Sequence, residues 1–294
     1  MPALDPFQRD ALTLLYWHRL LATDQIRRLL TPTGSPATRR RKLAALRTAG
    51  LVTCVDREHR DRTWYVTSDG ATLVEASGSV DARPYRVASP TVARMLGDHA
   101  LDVVETGLAF VETARDNGDE CGPLSWTPEV AHHFQCQGSA RGVVIADAVL
   151  HYVLTGSDTI RRSQRAFFIE LDRATMPVAR LAQKLVRYVR YHDYAPPHAP
   201  AAGPAWRQRY PRFPRVLIVL SGAGEHVLER RLADLRAHTQ ALAVVATAGD
   251  RVGILATTLR RLQSHGALAD IAVPMLSTSN RATSLFATLT TGTK

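Results

Sequence analysis

The chain has 294 residues, is 45% hydrophobic and carries a formal net charge of +10. This length and apolar content are enough for two packed domains, and the positive charge favours a phosphate backbone or a membrane surface as partner over acidic proteins in general. The sequence contains no apolar run of about eighteen residues, so we expect no transmembrane helix and no insertion in a membrane. Its three cysteines are widely spaced, which predicts free thiols and a cytoplasmic protein.

Residues 1–77 show the pattern of a winged helix-turn-helix. An apolar stripe in FQRDALTLLYWHRLL predicts the first helix, and Thr23 can cap the second. Ser35 and Pro36 are typical of a helix start and Gly50 of a helix end, so a third helix is expected between them. The runs LVTCVD and TWYVTS then predict a β-hairpin, which completes the element order of a winged helix.

The predicted third helix and hairpin are rich in cations. Neutralising DNA phosphates requires positive charge on the element that enters the groove, so double-stranded DNA is the predicted partner. The alternative is a winged helix used for protein contacts. The predicted DNA-binding residues are Arg39, Arg40, Arg41 and Lys42 on the helix and Arg57, Arg60 and Arg62 on the wing.

The rest of the chain predicts an α/β domain, giving an α+β protein overall. Residues 78–91 are rich in Ser, Pro, Ala and Arg and predict a linker. Residues 92–265 predict the α/β domain, with RVLIVLS and ALAVVATAG as strands and RVGILATTLRRLQSH as a helix. Residues 266–294 predict a weakly specified C-terminal tail.

Two apolar runs in this domain contain carboxylates. VVIADAVL carries Asp147, and AFFIELD carries Glu170 and Asp172. Burying an unpaired charge is costly, so such a placement asks for a chemical reason. Glu170 and Asp172 share a strand face, and adjacent strands would put Asp147 beside Glu170. Paired carboxylates favour Mg²⁺ or Mn²⁺, which can activate water and stabilise charge on a phosphate, so Asp147 and Glu170 are the predicted metal ligands.

The helix that follows carries a basic and aromatic face. Arg180, Lys184 and Tyr188 are four residues apart and lie on one side. A lysine near the metal can bind the scissile phosphate, and an aromatic ring among cations suits stacking on bases. We therefore add Lys184 to the predicted catalytic residues and Tyr188 to the predicted DNA contacts.

Asp147, followed by Glu170 and Asp172, resembles a degenerate PD-(D/E)xK nuclease core. Ala146 stands where a proline is expected, and Asp172 stands where a lysine is expected; relatives can carry that lysine on the next helix, where Lys184 lies. ELDRAT and KLVRY, together with the N-terminal winged helix, resemble the replication-relaxation family of plasmid and integrative-element proteins, which looks akin to the MobC-type relaxases. The resemblance implies a restriction-endonuclease-like domain and a role in DNA replication, relaxation or mobilisation. Its implied catalytic residues are Asp147, Glu170, Asp172 and Lys184.

Alternatives remain open for both site and function. Glu170 can form a buried structural ion pair with Lys184. A nuclease fold can also serve as a non-catalytic scaffold, which would make the chain a DNA-binding accessory factor of replication or transcription. Replication or conjugation proteins are the expected further partners, and a palindromic DNA site would suit a homodimer.

Overall fold

The computed structural model describes residues 4–57, 60–83, 86–87, 89–135, 141–156, 162–197, 203–277 and 281–287. Two compact units divide the chain. The first contains residues 1–111 and 122–127, and the second contains residues 112–121 and 128–294. The boundary therefore lies further along the chain than the linker predicted at 78–91, because the long helix that begins at Pro90 belongs mostly to the first unit.

The first unit begins with three helices followed by a β-hairpin, the elements predicted for residues 1–77. Its three short strands form an antiparallel sheet in the order β1-β3-β2. The elements are α1 (Pro6–His18), β1 (Leu21–Ala22), α2 (Thr23–Leu30), α3 (Pro36–Thr48), β2 (Val52–Arg57), β3 (Arg60–Val66), α4 (Ser68–Ser77) and α5 (Pro90–Asn117).

Local sequence explains where the helix α3 begins and ends. Ser35 is its N-cap and Pro36 occupies its first turn, where the missing N–H of proline costs nothing. Gly50 follows the C-cap with φ of 72°, a left-handed conformation that favours glycine. The helix that carries the predicted reading residues is thus fixed by its own termini.

The second unit is a seven-stranded sheet in the order β10-β9-β8-β7-β6-β5-β4. Strands β6, β7 and β8 are parallel, and β5 runs antiparallel to β6. The elements are β4 (Trp126–Gln135), β5 (Arg141–Thr155), β6 (Arg162–Asp172), α6 (Val178–Asp193), β7 (Arg215–Leu220), α7 (Glu225–Ala241), α8 (Ala243–Ala246), β8 (Ile254–Thr258), α9 (Leu259–His265), β9 (Asp270–Pro274) and β10 (Thr283–Ser284).

One face of the central strands is covered by α6 and α7. Phe168 of β6 and Ile218 of β7 pack in one core cluster with Leu185 of α6 and Leu232 of α7. Alternation along β6 places Glu170 on the same face as Phe168. The Glu170 side chain therefore points into the layer covered by α6 and α7, where groups on those helices can compensate for its charge.

The prediction of a weakly specified tail from residue 266 is wrong for its first part. Strand β9 pairs with β8 in the sheet, and Leu285 and Phe286 are buried. Residues 288–294 lie outside the described part of the chain. In the described residues, no helix has the length and apolar character needed to span a membrane.

Candidate active site

The Glu170 carboxylate is buried between β6 and α6. Its residue is 2% exposed, and both of its oxygens have partners on the helix. Lys184 Nζ forms an ion pair with Oε2, and the Tyr188 hydroxyl donates to Oε1. Because Lys184 and Tyr188 are one helical turn apart, they meet the same carboxylate from one side of α6.

Asp147 lies beside this pair at the end of the β5–β6 ladder. Antiparallel pairing runs from Thr155–Arg162 to Ala148–Ile169. One position further on, the Leu171 N–H donates to Asp147 Oδ2 at 2.7 Å. Asp147 Oδ1 lies 3.9 Å from Lys184 Nζ, so both carboxylates share one ammonium group. The structure thus brings together Asp147, Glu170 and Lys184, as the sequence predicted.

The charges in this cluster are strongly coupled. Burial, reinforced by the Asp147 charge, raises the pKa of Glu170 to about 8. Burial lowers the pKa of Lys184, but the adjacent Glu170 and Asp147 outweigh it, so the net pKa of Lys184 is raised. Burial and the Glu170 carboxylate raise the pKa of Tyr188, which keeps its hydroxyl protonated as a donor. A second positive charge at this point would favour ionisation of Glu170.

Asp172 does not join the cluster, although it shares a strand face with Glu170. Its carboxylate is 1% exposed and forms an ion pair with Arg231 of α7. Arg231 also donates through Nη2 to the Met176 carbonyl at 2.5 Å. The predicted catalytic role of Asp172 is therefore not supported, because a buried carboxylate held by a second helix is not accessible to a substrate.

Some of the predicted DNA contacts on α3 are exposed, and others are held by contacts within the protein. Arg40 and Arg41 are exposed. Lys42 is partly exposed and pairs with Asp5 at 3.2 Å. Arg39 is 7% exposed and donates to the backbone carbonyls of Thr31 and Gly34. The prediction for Arg39 as a DNA contact is wrong, since its guanidinium holds the turn between α2 and α3.

On the wing, Arg62 is exposed and pairs with Asp56 at 2.7 Å. The side chains of Arg57 and Arg60 lie outside the described part of the structure. Tyr188, predicted to stack on DNA, is 0% exposed. That prediction is wrong because a fully buried ring cannot reach a base, and the hydroxyl of Tyr188 serves Glu170 instead.

Two partners in this region were not predicted. The Leu171 N–H is a backbone group whose use depends on where the ladder ends, and no residue type signals it. Arg231 lies 59 positions from Asp172, and nothing in the sequence links them. Within the described ranges, no group of three or more His, Cys, Asp or Glu side chains is placed to hold a metal. A metal would therefore rely on the two predicted carboxylates.

Replacing Tyr188 by phenylalanine is expected to lower the free energy of unfolding by about 1–3 kcal/mol, because one oxygen of the buried Glu170 loses its donor. Equilibrium urea unfolding measures this loss. The matched control is Tyr191→Phe, since Tyr191 is also buried on α6 but contacts His132 and Phe134 through its ring. Equal losses in the two variants would contradict a specific role for the Tyr188 hydroxyl.

Comparison with known proteins places the chain in a family. Comparison with solved structures finds a structure of the restriction endonuclease FokI bound to DNA, with 12% identity and a TM-score of 0.28, covering 87% of this chain and 43% of the FokI chain. The chain thus spans less than half the length of that protein, and no curated protein matches it. A family model described as replication-relaxation matches residues 12–204, which is more than half of the chain. The chain therefore belongs to the replication-relaxation family.

Proposed function

We propose that the chain acts in plasmid or mobile-element replication and relaxation by binding double-stranded DNA and nicking one strand with a divalent cation. Family membership supports the setting. The observation that carries the chemistry is the meeting of Asp147, Glu170 and Lys184, from three different elements, around one ammonium group. Two carboxylates and an amine are the groups that metal-assisted phosphodiester cleavage uses.

The residues fit a hard divalent cation by their donor chemistry. Asp147 and Glu170 supply carboxylate oxygens, which Mg²⁺ and Mn²⁺ prefer. Burial, reinforced by the Asp147 charge, raises the pKa of Glu170 to about 8, and a bound cation would favour the ionised form. The Lys184 side chain is 27% exposed and flexible, so its ammonium can move aside. When bound, the cation would polarise a phosphate oxygen and lower the pKa of a water.

The protein side chains have separate tasks in this proposal. Lys184 would hold a non-bridging phosphate oxygen and offset the charge that develops on it. Tyr188 would keep the Glu170 carboxylate in place through its hydroxyl, and the Leu171 N–H would orient Asp147. Because Asp147 is 18% exposed and Glu170 only 2%, substrate would approach from the Asp147 side.

The test is nicking of supercoiled plasmid in Mn²⁺, with EDTA as the metal-free control. Wild type is expected to give relaxed circles only with metal. Asp147→Asn should lower the rate at least about 100-fold, since it removes the more exposed ligand charge. A charge-matched control is Asp193→Asn, at the exposed end of α6. The same yield from wild type and Asp147→Asn, or none from wild type, would rule out nicking at this site.

DNA binding is proposed to use the exposed face of α3. Arg40→Ala/Arg41→Ala is expected to weaken duplex binding and to lower the slope of log Kd against log[salt] by up to about 1.8, or about 0.9 for each phosphate that is no longer neutralised. Fluorescence anisotropy over a KCl series measures both. Arg9→Ala/Arg230→Ala removes two exposed arginines outside α3 and should retain the wild-type slope. An unchanged slope in the α3 variant would exclude this helix as the reading element.

A second candidate is a non-catalytic DNA-binding accessory factor. It is favoured by the fact that both Glu170 oxygens already have partners, Lys184 and Tyr188. In that case the cluster is a structural ion pair within a DNA-binding scaffold. The two functions differ in metal dependence: DNA binding without any Mn²⁺-dependent product would favour the scaffold.

A further inference from the structure

A second group of charged side chains lies in the second unit on the other face of the sheet. Arg165 of β6 is aligned with Tyr152 of β5, and Arg215 of β7 is aligned with Phe167 of β6. Aligned residues share a face, as do residues two apart in one strand. Arg165 and Arg215 therefore lie on the same face of the sheet as Tyr152 and Phe167. Phe168 and Glu170 point to the opposite face, because successive side chains of a strand alternate between the two faces.

Ring contacts confirm this face. Tyr152 and Phe167 both pack on Phe286, with ring centroids 4.8 Å and 5.4 Å away. Arg215 donates to the carbonyls of Leu285 and Ala287, on either side of Phe286, at 2.5 Å each. The arginine is thus anchored by uncharged acceptors, and none of the described carboxylates forms an ion pair with it.

Arg212, three residues before β7, completes what we call the Arg165 cluster: Arg165, Arg212 and Arg215. Burial and then the Arg212 charge lower the pKa of Arg165, while burial and then the Arg165 charge lower the pKa of Arg215. Arg165 therefore lies close enough to both Arg212 and Arg215 for their positive charges to repel its own. Within the described ranges, no carboxylate pairs with any of them.

Partly buried cations that repel one another are unfavourable unless an anion joins them. Among the described residues, Arg165 donates hydrogen bonds only to Ser163 Oγ, at 2.6 Å, and to the Gln164 carbonyl, at 3.3 Å. Arg212 is exposed and makes no hydrogen bond or ion pair with any described residue. Guanidinium groups bind phosphate through paired, charge-assisted N–H donors, and these two arginines retain donors for that purpose.

We propose that the Arg165 cluster is a phosphate-binding site, separate from the Asp147–Glu170 site, that takes a phosphate of a nucleic-acid backbone. Arg165 and Arg212 make the contact, and Arg215, held by the backbone carbonyls, raises the local positive potential. The same chemistry would bind a free phosphate or pyrophosphate. The site does not require nicking, so its test omits divalent cations.

The experiment measures binding of the full chain to a duplex oligonucleotide in EDTA over a KCl series. Arg165→Gln/Arg212→Gln is expected to lower the salt slope by about 1.8, or about 0.9 for each phosphate contact. A twofold rise in the KCl concentration would then weaken duplex binding by wild type about 3.5-fold more than duplex binding by the variant. Arg190→Gln/Arg230→Gln, which removes two exposed arginines on the opposite face, should retain the wild-type slope.

A second arm titrates inorganic phosphate and pyrophosphate into the same proteins by calorimetry. Arg165→Lys/Arg212→Lys keeps the charge and should restore most of the DNA slope, which separates a missing cation from a misfolded protein. If Arg165→Gln/Arg212→Gln no longer binds phosphate and pyrophosphate but keeps the wild-type salt slope for DNA, the phosphate site is supported and a nucleic-acid ligand is overturned. No change in either arm would overturn the proposal. A slope that falls while wild type fails to nick would leave this inference standing without the proposed catalysis.

Discussion

Replacing Arg231 by methionine is expected to lower the free energy of unfolding by about 3–5 kcal/mol, the largest stability effect predicted for the described residues. Asp172 is 1% exposed and Arg231 12%, so the substitution leaves a carboxylate buried without its cation. The loss has a second component, because Arg231 also donates to the Met176 carbonyl and ties α7 to the segment before α6. Urea unfolding monitored by circular dichroism measures the change.

The matched control is Arg230→Met, one position earlier on α7 and exposed, which should change stability by less than about 0.5 kcal/mol. Arg231→Met/Asp172→Asn should recover part of the loss, because the double variant no longer buries an unpaired charge. If the double variant is as unstable as Arg231→Met, the loss comes from the packing of the arginine stem and its hydrogen bond to the Met176 carbonyl, and not from the charge of Asp172.

The three helices and the hairpin of the first unit could be predicted because their signals are local. Ser35, Pro36 and Gly50 fix the ends of α3 within a few residues of sequence, whatever the rest of the chain does. The exposure of each arginine on that helix could not be predicted the same way. Arg39 faces the preceding turn because it follows the N-terminus of α3 by one turn, a geometric fact that a count of cations does not contain.

In the second unit, the carboxylate cluster was predictable and the third parallel strand was not. Asp147 and Glu170 stood out because charge within an apolar run is rare. The apolar runs around residue 250 contain no charged residue that would make them stand out in the same way. ALAVVATAG was predicted as a strand but forms the end of α7 and α8, whereas ILATT, predicted as part of a helix, forms β8.

The register of β8 explains this error. Ile254 to Thr258 pair in parallel with Val216 to Leu220, and all five residues are buried. Short apolar runs have no period that separates a strand from a helix, so the choice depends on which run completes the sheet. β-Branched residues at Ile254, Thr257 and Thr258 were the one local indication of a strand. The ion pair between Asp172 and Arg231 could not be predicted for the same reason, because its two residues are far apart in the sequence.

Replacing Lys184 by methionine is expected to reduce the Mn²⁺-dependent nicking rate by about 10²–10³-fold, the largest effect predicted on activity for a residue that is not a metal ligand. The ammonium group lies against both carboxylates, where the scissile phosphate would bind. The loss of stability should be smaller than that of Arg231→Met. With Lys184 removed, the pKa of Glu170, already about 8, rises further, so the carboxyl group stays neutral over a wider pH range and leaves no unpaired buried charge at pH 7.

Because the pKa of Glu170 is higher in Lys184→Met than in wild type, the stability loss of this variant depends on pH with a definite sign. A carboxyl group whose folded pKa lies above its unfolded value takes up a proton on folding, so its stabilising contribution disappears as pH rises through the folded pKa. The deficit of Lys184→Met relative to wild type should therefore grow above about pH 8. Arg190→Met, six residues further along α6 and exposed, is the control for both measurements. Full nicking by Lys184→Met, with a deficit that is constant from pH 6 to 9, would assign Lys184 neither the catalytic nor the charge-compensating role.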